Sequence, residues 1–69
     1  MNLYILNDVL YDYTAGMAVI AAESRDAARS IFVEEFGVCR AGDFDSAQVK
    51  VIKGVDHPAG LVSYVYGGG

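Results

Sequence analysis

The chain opens on a dense apolar run, Asn2-Leu-Tyr-Ile-Leu-Asn-Asp8, too short for a helix of ordinary length and rich in strand-favouring residues. Alternation puts Leu3 and Ile5 on one face and Tyr4 and Leu6 on the other, so both faces are apolar, as in a central strand. Val9 to Gly16 brings turn chemistry at Asp12 and Gly16, and Met17 to Ala22 is a second apolar run. Together they predict a hairpin with a longish loop. The period then changes from two to 3.6. Ser24 stands at an N-cap position, Asp26 lies in the first turn beside the positive end of the dipole, and Gly37 follows as a terminating glycine. Between them Ala28, Ile31, Phe32 and Phe36 form one apolar stripe, with Arg25, Arg29 and Glu34 on the solvent side, which predicts a helix lying on a sheet. Burying Ile31, Phe32 and Phe36 contributes on the order of 1.5–3 kcal/mol each. For a domain whose whole stability is roughly 5 kcal/mol, either Phe matters decisively.

Val38 to Ser46, with Gly42, Asp43, Asp45 and Ser46, reads as a connecting loop. Ala47 to Lys53 alternates as a strand, with Ala47, Val49 and Val51 against Gln48 and Lys50. Gly54 to Gly60 reads as a turn around Pro58, and Leu61 to Tyr66 as the last strand. The expected fold is α+β in the order β-β-α-β-β: a four-stranded antiparallel sheet with one helix packed on one face. Residues 1–66 form a single domain in this reading, and 67–69 a flexible glycine tail.

Composition narrows the function classes. Sixty-nine residues, 54% of them apolar, make one domain with no room for a deep cleft, and the chain is too hydrophobic for disorder. The longest uncharged apolar stretch, Tyr13 to Ala22, is far short of the ~20 residues needed to cross a bilayer. Met1 to Leu6 lacks the basic start of a signal peptide, and a single cysteine offers no internal disulfide, so the expected location is cytoplasmic. Nine acids against five bases give a net charge of −4, and no two of Arg25, Arg29, Arg40, Lys50 and Lys53 are adjacent. Direct nucleic-acid binding is therefore not expected, although such a chain can attract a protein surface built to hold DNA.

Catalytic and metal signatures are sparse. Cys39 and His57 are the only soft ligands, whereas a structural zinc site takes four, and no third group or oxyanion hole supports them as a nucleophile pair. Asp43-Phe-Asp45 begins like a calcium loop but lacks the glycine at its sixth position and the closing Glu. No enzyme activity, cofactor or metal is expected. The acids are more informative: Asp8, Asp12, Glu34, Glu35, Asp43, Asp45 and Asp56 all fall in expected loops or at element ends. Such placement serves solubility, or it imitates a row of phosphates and occupies a basic groove. Tyr11 and Tyr13 add rings with polar tips, which suit interface anchors. The candidate partner-binding set is Asp8, Tyr11, Asp12, Tyr13, Glu34, Glu35, Asp43 and Asp45, while Tyr4, Tyr64 and Tyr66 are read as packing on the sheet.

Two resemblances follow from these residues. Leu3-Tyr-Ile-Leu, Tyr11-Asp-Tyr, Gly16-Met-Ala-Val-Ile-Ala-Ala22 and Ser24-Arg-Asp-Ala-Ala-Arg29, in which a hairpin leads into a helix starting Ser-x-x-x-Ala, resemble the opening of many short phage-encoded proteins. The small acidic anti-CRISPR proteins acting on type I systems share this size, charge and architecture. The resemblance covers the first half of the chain and carries over no catalytic residue. It implies an inhibitor in the cytoplasm of an infected bacterium, monomeric or weakly dimeric, that binds the DNA-binding surface of a host Cas complex (Cascade) as a DNA mimic and touches neither nucleic acid nor membrane. The terminal Tyr66-Gly-Gly-Gly69 is instead similar to the tail of ubiquitin-like sulfur carriers and modifiers, which implies activation at the last glycine. A small phage interaction module working through an exposed sheet edge is a third possibility.

Overall fold

The computed structural model describes residues 1–12 and 14–67. Chain order is β1 (Asn2–Asp12), β2 (Thr14–Ala22), α1 (Arg25–Phe36), a 3-10 turn (Val38–Arg40), α2 (Ala41–Ser46), β3 (Gln48–Ile52) and β4 (Gly60–Val65). The strands pair antiparallel in the spatial order β3-β1-β2-β4. The chain is thus α+β with a four-stranded antiparallel sheet, but a single helix is corrected to two: α2 occupies the segment expected to be a loop. The hairpin forms the centre of the sheet and each later strand covers one of its edges. Between β3 and β4 the chain passes the open end of the hairpin, opposite its turn, where the Val55 N–H donates to the Met1 carbonyl at 2.9 Å.

Register decides which side chains meet. Leu6 lies opposite both Ala18 and Val49, and Tyr4 opposite both Ile20 and Val51, which places these residues under the helices. There Tyr4, Leu6, Ala18, Ile20 and Ala22 close with Ala28 and Phe32 of α1 and Phe44 of α2 into one core. The Phe32 ring centre lies 4.9 Å from that of Phe36 and 5.7 Å from that of Phe44. Leu3, Ile5, Met17 and Val19 take the alternate positions on the other face and are half-buried.

α1 is built as its sequence directs. Ser24 is extended and its Oγ accepts from the Ala27 N–H at 3.1 Å, while Gly37, at φ +98°, donates its N–H to the Val33 carbonyl at 2.8 Å. α2 has no such local support. Gly42, Asp43 and Ser46 are poor helix formers and six residues cannot sustain a helix alone; burial of Phe44 beside Phe32 selects it.

The hairpin also differs from expectation: pairing runs through residues 9–12 and 14–16, which the sequence assigned to a loop. β1 accomplishes this with register steps between Asn7 and Val9 and between Val9 and Asp12. Asp8 and Leu10 both adopt the left-handed region, at φ 63° and 53°, and Val9 and Leu10 are consecutively buried. For a residue with a Cβ this costs roughly 1–2 kcal/mol, so the surroundings must enforce it. They do: the Leu10 N–H donates to Asp43 Oδ2 at 3.1 Å and its carbonyl accepts from the Gly67 N–H at 3.0 Å. Gly67 is buried, and a Cβ there would strike the Thr14 carbonyl, just as one on Gly16 would strike the Val65 carbonyl. Gly67 accordingly belongs to the folded domain and not to a free tail, while Gly68 and Gly69 lie outside the described residues. No helix of the described residues is long and apolar enough to cross a membrane.

Candidate functional site

The eight candidate residues divide into three groups. Asp43 and Asp45 sit on α2 and are engaged within the molecule. Asp45 accepts both Nε and Nη2 of Arg29, at 2.8 and 3.0 Å, a bidentate pair on the exposed surface between α2 and α1. The Arg29 hydrogen bond is the largest cause holding the Asp45 carboxyl below its ordinary value, and the same bond raises Arg29. Asp43, half-buried, receives the Leu10 N–H and, at 3.4 Å, Arg40 Nη1. These two carboxylates therefore do structural duty first, and any partner would have to share them.

The second group stands at the C-terminal end of α1. Glu34 and Glu35 are exposed in its last turn, which contains no basic residue, and neither takes part in an ion pair among the described residues. They precede Phe36, whose ring packs edge-on against Tyr64 at 5.3 Å and Tyr66 at 6.1 Å, with Tyr64 and Tyr66 themselves 5.7 Å apart. Tyr64 remains 49% exposed and Tyr66 44%, and the neighbouring Val38 is 75% exposed. The Arg40 guanidinium lies 5.4 Å from the centre of the Tyr66 ring. Phe36, Tyr64 and Tyr66 thus form an aromatic cluster at the C-terminal end of α1, in which both tyrosines stay partly exposed. The sequence held one signal for this: Tyr64, on β4, and Tyr66, just past its end, are two apart and so face the same side.

The third group lies at the free end of the hairpin. Tyr11 and Asp12 are the last two residues of β1, and Tyr13 falls outside the described residues. Asp8 is exposed and, with Asn7, Ala15, Gly16, Met17 and Val65, lines an open cavity of about 340 Å³. Contacts link this end to the second group: Asp43 binds Leu10 and Arg40, Arg40 lies over Tyr66, and Tyr66 packs on Phe36.

The cations are distributed otherwise. Arg25 lies 5.3 Å from the centre of the Phe44 ring, Arg29 and Arg40 are paired, and Lys50 lies on β3, with Lys53 just beyond it, at the opposite edge of the sheet from β4. Cys39 is exposed in the 3-10 turn, and His57 turns its Nδ1 to the adjacent Pro58 carbonyl at 2.7 Å. Among the described residues, no three His, Cys, Asp or Glu side chains gather as a metal site. Comparison with protein-family models, with curated proteins and with solved structures finds no match to this chain.

Proposed function

We propose that the protein acts without catalysis, as a stoichiometric inhibitor that binds the basic DNA-binding surface of a type I CRISPR surveillance complex and keeps target DNA from it, in line with the anti-CRISPR proteins its sequence resembles. The carrying observation is the placement of Glu34 and Glu35: exposed carboxylates with no ion-pair partner among the described residues, they stand in the last turn of α1 against that helix's own dipole, at the end of the helix where Phe36 meets the half-exposed Tyr64 and Tyr66. Such a group adds nothing to the fold. It suits a cationic surface, with the rings as anchors and the carboxylates as charge partners. Asp8 extends the acidic surface toward the hairpin end, whereas Asp43 and Asp45 support the scaffold.

The test is a band-shift assay of target DNA on a purified type I surveillance complex with increasing protein. DNA binding falls off near equimolar protein, and more weakly as salt rises. The double variant E34K/E35K loses inhibition by about tenfold or more, with an unchanged far-UV spectrum. Undiminished DNA binding, or a charge-reversed variant as potent as the parent, overturns the reading.

A further inference from the structure

We propose that the cavity at the hairpin end is a receptor for one arginine side chain of the protein partner, with Asp8 as its anionic anchor. This deepens the binding role proposed above and rests on it. The starting point is the backbone. A regular β1 would send Asn7 and Asp8 to opposite faces of the sheet. The step in register after Asn7, with Asp8 in the left-handed region, instead brings both onto the wall of one cavity. Strained residues survive where their surroundings over-determine them, and such places are enriched in binding sites. Two residues on, Leu10 is held in the same region by the Asp43 carboxylate on its N–H and the Gly67 N–H on its carbonyl, and at Gly16, in the cavity wall, no side chain fits against Val65.

The lining defines the ligand. Asp8 offers a carboxylate and Asn7 an amide oxygen, both acceptors, while Met17, Val65 and Ala15 form apolar walls. Acceptors set in one lining with apolar walls match a cation carried on an aliphatic stem. A guanidinium fits best, because its planar fork can meet a carboxylate with two N–H groups. The volume, about 340 Å³, is at the small end of ligand cavities, which span about 300–1,000 Å³. It is open to solvent, so a side chain projecting from a protein surface can enter without the receptor opening.

Titration of the whole, isotopically labelled protein with N-acetyl-arginine amide, followed by amide NMR, tests this. Shifts are expected at Asn7, Asp8, Gly16, Met17 and Val65, and absent with N-acetyl-norleucine amide, which keeps a stem and lacks the charge. Asp8→Asn keeps the size and tolerates the left-handed backbone, so it isolates the charge; the affinity falls by about tenfold or more. Equal binding by Asp8→Asn, or shifts spread evenly over Glu34, Glu35 and Asp56, overturns the proposal. The E34K/E35K variant keeps the arginine response at the cavity. Cavity-confined shifts that depend on Asp8 support the receptor even if the surveillance complex is not inhibited. If the complex is inhibited equally by parent and Asp8→Asn, the partner does not use the cavity and the proposal fails.

Discussion

At the scale of single residues, Asp43 shows how far a side chain's role can lie from its sequence surroundings. In the sequence it is one of two acids in a polar segment, available for a partner. In the structure its Oδ2 caps the N–H of Leu10, a buried residue 33 positions away in a backbone region that resists leucine. Removing the acceptor leaves that N–H unpaired in the interior, which costs about 1–3 kcal/mol. Asp43→Ala should therefore lower the unfolding free energy measured in urea by that amount. Asp43→Asn retains an acceptor oxygen and should lose clearly less. Equal losses would mean that charge toward Arg40, and not the bond to Leu10, is what Asp43 supplies. No local pattern predicts this pairing, because it depends on where α2 packs. Nor does any local pattern show that Asp43 and Asp45, two residues apart, are each turned to a different internal partner.

At the scale of elements, legibility follows how local the determinants are. α1 carries its start, stop and buried stripe within its own residues, and the structure reproduces each. α2 depends on Phe44 reaching Phe32, a contact between distant segments, so its residues read as loop. β1 reads correctly up to Asp8, where two register steps break the alternation on which strand reading depends. Helix α1 also carries a cost that its sequence makes visible. With Glu34 and Glu35 at the negative end of the dipole and no basic residue in the turn, Glu34→Gln and Glu35→Gln should each stabilise the protein by about 0.3–1 kcal/mol at low salt. Urea denaturation at two ionic strengths measures this, and the gain should shrink in the saltier buffer. A loss of stability would show that these carboxylates make contacts the fold needs. A gain in stability coupled to loss of inhibition would mark them as placed for binding.

At the scale of the whole molecule, the order of strands was beyond the reach of sequence patterning. Four strands and a helix were legible; that β3 and β4 part to opposite edges was not, since alternation reports faces and not neighbours. That arrangement also governs how the molecule assembles. Leu6 meets Ala18 across a short hairpin, whereas Leu3 meets Ile52 and Met17 meets Val65 only after most of the chain has been enclosed. Closing a loop about four times longer costs roughly 1.2 kcal/mol more in chain entropy. Folding should therefore be sequential, with the central hairpin formed before either edge. Pulse-labelled hydrogen exchange during refolding should protect the amides bonded between β1 and β2 ahead of those bonded between β1 and β3 or β2 and β4, and simultaneous protection would refute a sequential route. Until both edges arrive, the central hairpin has unpaired backbone along both its long sides, and aggregation can begin there; in the native sheet the unpaired edges are instead those of the shorter β3 and β4.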